Sequence, residues 1–415
     1  MRRSKCKSAR HDRLFLGKVN SRVEGPIERG IVMDVRASIL SEVHGPWHTE
    51  TIEIDDPHAY EVRVKMAFSG LCHSDLHLQT GALSQSTVAL EMISGRPSMF
   101  PIIGGHEGSG VVDSVGDGVT SVKVGDHVAT SFIPSCGKCE YCISGRPYIC
   151  DMAAGTLAGP MISDGTWRHH MGETNVNRMC NLGTFAEYIV VHEASVIRVE
   201  TWYDLRAAAL LSCGISTGFG AAVNRGGVKP GDVVAVIGCG GLGSAAIQGA
   251  LHAGARAVVA IDTMQSKIDR AMKIGATHGS TTTLEAAFTI LPDLTWGKNC
   301  DVVIITVGEA TSEIIEQARS ITAKGGVVVA AGLAPWDQTS VELNLFMFSM
   351  MNQELRGTVF GSEAPRLQIP RLLRLHNEGK FMIDELVTQE YSLDQVQRGY
   401  DDLEAGENIR GVIRF

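Results

Sequence analysis

The sequence lacks the features that mark membrane and nucleic-acid-binding proteins. No apolar run approaches the roughly 18 residues of a membrane span, and no apolar stretch of signal-peptide length follows the basic N-terminus. Positive charge is also scarce, since 37 Lys and Arg residues stand against 46 Asp and Glu residues and leave a net charge of −9. These absences argue against a membrane or a nucleic acid as partner and predict a cytoplasmic protein.

The chain also lacks the signs of a secreted disulfide framework. Its 10 cysteines belong to a chain of 415 residues, 44% of them hydrophobic, which can bury a large core without covalent cross-links. That length predicts two or three domains, at roughly 100–200 residues each. Residues 1–32 are polar, basic and aperiodic, which predicts a disordered extension; a start at Met33 is the alternative hypothesis.

The rest of the chain falls into three regions of different pattern. Residues 33–208 carry short apolar runs between glycine and charged turns, which predicts a β-rich domain of short strands. In residues 209–364, apolar runs such as 233–237 and 257–261 alternate with helical stretches, which predicts a parallel sheet covered on both faces. Residues 365–415 show helical patterns and a final strand, and we expect them to rejoin the first domain.

Four cysteines share a short segment and suit one metal ion. Cys136, Cys139, Cys142 and Cys150 form C-x2-C-x2-C-x7-C, and four thiolates this close can surround Zn²⁺ in its preferred tetrahedral geometry. An iron–sulfur cluster uses similar spacing and is an alternative, as are four unrelated free cysteines. Because protein ligands would fill all four positions, we predict a closed, structural zinc site in the loop 131–151.

A second, dispersed set predicts a metal site with an open position. Cys72, His106 and Cys213 each lie beside glycine-rich turns, and two thiolates with one imidazole are typical of catalytic zinc, whose fourth position is left for substrate. Glu107 is a candidate either for a contact with one of the metal ligands or for a transient ligand of the metal itself. Asp75 is a candidate to accept from the free ring nitrogen of His106 and fix its tautomer. No role is predicted for the remaining cysteines, Cys6, Cys180, Cys239 and Cys300.

A glycine-rich turn in the second region predicts a dinucleotide site. The run G-C-G-G-L-G follows an apolar strand and opens a helix, and its candidate contacts are Gly238, Gly240, Gly241, Leu242 and Gly243. Glycine permits the tight turn and lets the backbone approach a pyrophosphate at the positive helix N-terminus. Asp262 ends the next strand, where a carboxylate binds ribose hydroxyls and repels a 2′-phosphate, so NAD is predicted over NADP. Lys267 is either a further ribose contact or a solvated lysine.

Together these motifs resemble those of the zinc-containing medium-chain alcohol dehydrogenases, from about Met33 to Phe415. The resemblance implies an α/β protein with a GroES-like β-rich catalytic domain, a Rossmann cofactor domain with a doubly wound parallel sheet, and a cleft between them. It implies two zinc ions per chain, one catalytic and one structural, with NAD as cofactor. It also implies a small alcohol or aldehyde as substrate and a homo-oligomeric assembly.

The family's other functional positions carry over to single residues of this chain. Ser74 and His77 match the proton relay, and Thr217 is similar to the threonine that packs near the nicotinamide. Phe132 falls where the family lines its substrate pocket, and we expect the loops around residues 80–100 and 152–180 to shape that pocket as well. Arg410, in the run N-I-R-G, resembles the arginine that contacts the pyrophosphate from the C-terminal segment.

The runs 131–139, 180–188, 294–297 and 408–415 are similar to those of the bacterial nicotinoprotein, nitrosoaniline-dependent alcohol dehydrogenases, which hold their nicotinamide tightly. His73 departs from the family, because several members carry an arginine there for the cofactor phosphates. We expect a weaker contact from this histidine, or a plain loop residue. The insertion 152–179 beside the four cysteines has no role that its sequence indicates.

Three other functions stay open on the sequence alone. Glutathione-dependent formaldehyde dehydrogenases share the same frame and differ in substrate. A zinc-free reductase of the same superfamily would require both cysteine sets to be accidental. A non-enzymatic module that binds zinc and a nucleotide gives no reason for an open three-ligand site beside Ser74 and His77.

Overall fold

The computed structural model describes residues 32–83, 98–153, 157–336 and 338–415. The predicted disordered extension 1–32 lies outside these residues, apart from Val32, which begins the first strand. The strands, in chain order, are β1 (Val32–Leu40), β2 (His48–Asp55), β3 (Glu61–Gly70), β4 (Ile102–Ile103), β5 (Gly108–Val115), β6 (His127–Thr130), β7 (His169–Met171), β8 (Thr174–Asn175), β9 (Asn177–Arg178), β10 (Tyr188–His192), β11 (Val196–Val199), β12 (Val233–Ile237), β13 (Ala257–Ile261), β14 (His278–Ser280), β15 (Cys300–Ile305), β16 (Thr322–Ala330), β17 (Glu354–Gly357), β18 (Val387–Tyr391) and β19 (Arg410–Arg414).

The α-helices, in the same order, are α1 (His73–Gln79), α2 (Glu140–Ile143), α3 (Leu205–Leu210), α4 (Gly214–Gly220), α5 (Gly241–His252), α6 (Gln265–Lys273), α7 (Thr283–Glu285), α8 (Leu291–Thr295), α9 (Ser312–Ser320), α10 (Leu345–Met350), α11 (Pro365–Asn377) and α12 (Val396–Glu404). Within the helical patterns of residues 365–415, Leu393–Gln395 forms a 3₁₀ turn, and α12 continues from it. None of these helices is both long enough and apolar enough to cross a membrane.

The first region folds into two mixed sheets that share an apolar core. One sheet has the strand order β8-β7-β2-β1-β4-β9, and the other has β11-β6-β5-β3-β19-β18 with β10 also paired to β3. In β1, Val35 and Ala37 are buried and Arg36 between them is exposed, whereas Ser38, Ile39 and Leu40 at the end of the strand are all buried. Alternation of this kind buries one face of a strand. The predicted β-rich first region is therefore confirmed.

The second region forms a parallel sheet with the order β14-β13-β12-β15-β16-β17. Every residue of β12 is buried, because Val234 and Val236 pack into one apolar core and Val233, Ala235 and Ile237 pack into another on the opposite face. The strand order reverses beside β12, and doubly wound sheets bind ligands outside the carboxyl ends of the strands at that point. The predicted doubly wound sheet is confirmed, and it places a site beyond β12 and β15.

The last strand returns the chain to the first region. β19 pairs antiparallel with β3, through Val412 opposite Gly70, and parallel with β18. Because β19 begins at Arg410, this pairing brings the arginine to the boundary between the two regions. The predicted domain limits 33–208, 209–364 and 365–415 stay a prediction.

A buried ion pair fixes the segment that follows the four cysteines. Nε and Nη2 of Arg168 donate to the two carboxylate oxygens of Glu61 at 2.9 and 3.0 Å, and both side chains are buried. Arg168 also donates to Asp164 and Thr166. Partial burial raises the pKa of Asp164, but hydrogen bonds from Thr166 and Arg168 outweigh it and hold that pKa at about 2. The loop before β7 is thus tied to β3.

We predict that Arg168→Met lowers the free energy of unfolding by about 3–5 kcal/mol, because Glu61 would stay buried without its partner. The control is Arg36→Met, which removes an exposed ion pair with Asp394 and should cost less than about 1 kcal/mol. Urea unfolding followed by circular dichroism measures both. If both variants lost the same free energy of unfolding, the buried pair would be no more stabilising than the exposed one.

Candidate active site

A cleft of about 1110 Å³ lies between the parallel sheet and the β-rich region. Most of the residues singled out in the sequence line it: Cys72, His73, Ser74, His77, His106, Phe132, Cys213, Thr217, Gly238, Gly240, Gly241, Leu242, Asp262, Lys267 and Arg410. Three others, Asp75, Glu107 and Gly243, are buried and do not line the cleft. The four clustered cysteines lie elsewhere.

The dispersed metal donors come together in this cleft. Cys72 is the N-cap of α1 and Cys213 is the N-cap of α4, while His106 and Glu107 immediately precede β5. The candidate ligand atoms of these four residues all lie within 4.8 Å of one another. Both thiols are free of disulfides. Two sulfur donors and an imidazole suit Zn²⁺, so the donor set fits the metal that the resemblance implies.

Glycine is required beside this donor set. Gly105, next to His106, has φ of 83°, and a Cβ there would lie 2.4 Å from Oγ1 of Thr184. The N–H of Gly105 also donates to Oδ1 of Asp75 at 2.7 Å. The turn that presents His106 therefore depends on a residue without a side chain.

Asp75 and Arg410 hold the outer side of the donor set. Nδ1 of His106 lies 2.9 Å from Oδ2 of Asp75, which leaves Nε2 for the side of the thiols. Glu107 is ion-paired with Arg410, and its Oε1 accepts from the N–H of Gly214 at 3.0 Å. Burial raises the pKa of Glu107 to about 7 against the opposing attraction of Arg410. Glu107 therefore lies among the four candidate donors and also bonds to Arg410 and Gly214.

The candidate relay and pocket residues surround the donors. Oγ of Ser74 lies 3.7 Å from Sγ of Cys72. Nε2 of His77 lies 2.9 Å from the carbonyl oxygen of Gly308, which follows β15 in the parallel sheet. The Phe132 ring stands edge-on to the His106 ring, with centroids 5.9 Å apart. Ser74 and Phe132 therefore lie beside the metal donors, and His77 lies in the same cleft.

The glycine-rich turn has the shape of an anion cradle. Gly238 has φ of 94°, and a Cβ on Gly243 would lie 1.9 Å from the carbonyl oxygen of Gly238. Both positions therefore require glycine. A Cβ on Gly240 would meet no atom within 4 Å. That open space at the N-terminus of a 12-residue helix fits the pyrophosphate of a dinucleotide.

Asp262 lies on the far side of the same turn. Its carboxylate accepts from the N–H groups of Cys239 at 2.7 Å and Met264 at 2.9 Å, and it lines the cleft together with Lys267. These bonds orient the carboxylate at the end of β13.

Burial lowers the pKa of His73 to about 4, so at neutral pH this residue brings no positive charge to the cleft.

The four clustered cysteines form a separate, closed set. Their sulfur atoms all lie within 4.8 Å of one another, and none forms a disulfide. The N–H groups of Cys136, Cys139 and Cys142 donate to the sulfurs of Cys150, Cys136 and Cys139 at 3.4–3.5 Å. Such bonds favour thiolates. Four sulfurs that converge in this way fit one tetrahedral zinc ion.

Some residues of the cleft are not among those that the sequence singled out. Leu157, Met179 and Cys180 line the cleft, although Cys180 was assigned no role and the insertion 152–179 was not interpretable. Phe360 is buried against Phe132, with ring centroids 5.5 Å apart. Of the predicted pocket loop 80–100, residues 84–97 lie outside the described residues.

Two family models match the chain. The alcohol dehydrogenase GroES-like domain matches residues 58–201, and the zinc-binding dehydrogenase matches residues 241–378. Among solved structures, the benzyl alcohol dehydrogenase of Acinetobacter calcoaceticus is 28% identical, with a TM-score of 0.82. That likeness covers 92% of this chain and 99% of that one.

Sequence relatives agree with these matches. The NDMA-dependent alcohol dehydrogenase of Amycolatopsis methanolica is 44% identical over 92% of this chain and 99% of its own length. The S-(hydroxymethyl)glutathione dehydrogenase of Komagataella pastoris is more distant, at 33% identity over 92% of this chain and 98% of its own. The glutathione-dependent alternative is therefore the weaker one.

We predict that the purified protein carries two zinc ions per chain and that Cys150→Ser and Cys72→Ser each retain one. Cys150→Ser should lower the thermal unfolding temperature, because four ligands cross-link one loop, whereas Cys72→Ser should abolish activity in a protein that still folds. Elemental analysis, thermal unfolding and an alcohol oxidation assay measure these effects. Cys300→Ala, at a buried cysteine outside both sets, is the control and should keep both ions. Two ions in Cys72→Ser would refute the open site.

Proposed function

The chain belongs to the zinc-containing medium-chain alcohol dehydrogenases, and on that basis we propose that Cys72, His106 and Cys213 hold the catalytic zinc for an alcohol oxidation linked to NAD. The observation that carries this proposal is the convergence of the three donors on the cleft that also contains the glycine-rich turn. The reaction interconverts an alcohol with its aldehyde or ketone. The reaction needs a metal ion and a nicotinamide in one cleft, and the chain provides candidate residues for each.

The residues of this chain hold the reacting groups in a fixed arrangement. When bound, zinc supplies a Lewis acid that lowers the pKa of an alcohol hydroxyl, and nicotinamide supplies the hydride acceptor. Asp75 orients His106, and Glu107 takes the outer position that its bonds to Arg410 and Gly214 define. Cys72, His106 and Cys213 would hold the ion, and because they are only three donors they would leave room for the substrate hydroxyl in the cleft that Cys72, His106 and Cys213 line.

We assign the exit of the substrate proton to Ser74 and His77. Both line the cleft, with Ser74 beside Cys72. Because a carbonyl oxygen can only accept, the contact with Gly308 places the hydrogen of the neutral His77 ring on Nε2. Nδ1 is then the acceptor that takes the proton onward. Histidine suits this role because its ring can accept a proton on one nitrogen while the other nitrogen carries a hydrogen.

We further propose that the nicotinamide cofactor is NAD and that it stays bound through turnover. The Asp262 carboxylate at the end of β13 favours a free ribose hydroxyl over a 2′-phosphate. Contacts across the cleft support retention: His77 bonds to Gly308, and the N–H of Trp336 donates to the carbonyl oxygen of Ala82 at 3.0 Å. Each contact joins the β-rich region to the parallel sheet and would have to break for the cleft to open.

A homo-oligomer is the assembly that we propose. Within the described sheet, β17 is an edge strand with one unpaired side. Large apolar side chains are exposed on it and on the preceding helix: Leu345, Phe346, Met350 and Leu355. Edge pairing between two chains would cover both the strand and these side chains. A sedimentation mass equal to one chain would overturn this assembly.

Purification without added cofactor tests the retained nicotinamide. We expect close to one NAD per chain by absorbance after denaturation, and alcohol oxidation that proceeds with a reducible nitroso dye. Protein that is free of nicotinamide and active only with added NAD would make this an ordinary dehydrogenase with an exchangeable cofactor. Activity that requires glutathione would instead favour the formaldehyde dehydrogenase alternative.

We predict that His77→Gln lowers kcat/KM for alcohol oxidation at neutral pH by about tenfold or more and flattens its pH profile, because glutamine cannot carry the proton away. Initial rates between pH 6 and about 9 measure the effect. His278→Gln, on β14 of the parallel sheet, is the control and should leave the profile unchanged. The relay assignment fails if the His77→Gln profile matches that of the wild type.

A further inference from the structure

The segment 157–181 supplies one wall of the cleft, which we call the insertion wall and define by Leu157, Met179 and Cys180. All three residues line the cleft, as does Phe132 beside the metal donors. The N–H of Cys180 donates to the carbonyl oxygen of Leu157 at 2.9 Å, so the two ends of the segment meet at the wall. An alcohol bound at the metal donors would therefore have its carbon chain beside this apolar surface.

The turn that carries the wall has an uncommon backbone. Cys180 and Asn181 both have positive φ, 52° and 55°, a left-handed conformation in which the Cβ of a non-glycine residue crowds the following carbonyl oxygen. Two such residues in succession persist only where neighbouring contacts determine their conformation. The position of Met179 and Cys180 therefore depends on whatever fixes this turn.

Arg178 makes the contacts that fix the turn at Cys180 and Asn181. Its side chain is only 1% exposed, and Nη1 donates to the carbonyl oxygens of Asn181 at 2.9 Å and Val190 at 3.2 Å. Nη2 donates to the carbonyl oxygen of Gly159 at 3.5 Å. One guanidinium thus joins the left-handed turn, the start of the inserted segment and strand β10.

The chemistry of Arg178 is unusual for a buried cation. In the part of the chain that the structure describes, its hydrogen-bond partners are backbone carbonyls, and no carboxylate lies within ion-pair distance. Burial lowers the pKa of its guanidinium to about 10. Burying a charge without a counter-charge is unfavourable, and an apolar side chain of similar volume would avoid that cost. The planar fork of N–H donors, which can hold several carbonyls at once, is what an apolar residue could not replace.

We propose that Arg178 is a positioning residue that sets the insertion wall and thereby selects alcohols by the size of their apolar part. This inference rests on the proposed function, because it concerns the alcohol held in that cleft. Arg178 acts through Leu157, Met179 and Cys180 and does not itself touch the reacting groups. A wall in its native place contributes contacts to a long or aromatic alcohol and almost none to ethanol.

Steady-state kinetics on the full-length enzyme with ethanol, 1-hexanol and benzyl alcohol tests the proposal. In Arg178→Met we expect KM for the two larger alcohols to rise about tenfold, while kcat and the KM for ethanol stay within about twofold of the wild-type values. Arg178→Lys keeps a charged donor for one carbonyl, so its KM values for the two larger alcohols should lie between those of the wild type and those of Arg178→Met. Leu157→Ala removes a wall side chain directly and is the matched reference for the same size dependence.

Two results would overturn the proposal. One is a loss of kcat/KM in Arg178→Met by the same factor for all three alcohols, and the other is no change in any of them. If Arg178→Met does not fold, the remaining variants decide: size-dependent KM changes in both Arg178→Lys and Leu157→Ala support the role, and a change in Leu157→Ala alone refutes it. A wild-type enzyme that oxidises none of the alcohols would refute the proposed function itself, and this inference with it.

Discussion

The buried ion pair between Glu107 and Arg410 is the contact on which the geometry of the cleft depends. Glu107 follows the donor His106 and accepts from the N–H of Gly214, beside the donor Cys213. Arg410 packs so closely against the glycine-rich turn that a Cβ on Gly241 would lie 2.2 Å from its Cδ. Two buried charges are stable together and costly apart. The pair therefore fixes the metal donors relative to the dinucleotide turn.

The two cysteine sets are held in place by different means. The four clustered cysteines lie on one short loop, where their own N–H groups donate to neighbouring sulfurs. The three dispersed donors come from α1, the loop before β5 and the start of α4, so their geometry depends on the packing of the β-rich region. A local loop suits a site that only cross-links the chain. Donors from rigid, separate elements suit a site with one open position.

Two buried arginines hold the inserted segment against the β-rich region. Arg168 ties the inserted segment to β3 through Glu61, and Arg178 ties the turn at Cys180 to β10 through backbone carbonyls. Both side chains are buried in a part of the chain with few regular elements. The hydrogen bonds of these two side chains take the place of the backbone hydrogen bonds that hold regular strands and helices together. A long insertion can in this way form a wall with one defined position.

The parallel sheet, the glycine-rich turn and the grouping of the four cysteines could be predicted from the amino-acid sequence, because each depends on residues that are close together in the chain. The open donor set was predicted from the glycine-rich turns beside Cys72, His106 and Cys213, but its members are far apart in the chain, and no local pattern shows that they meet. Tertiary structure alone decided that Arg410 pairs with Glu107, 303 positions away, and that Cys180 lines the cleft. No local pattern specifies which distant residue becomes a neighbour, because that choice is made when the two regions pack against each other.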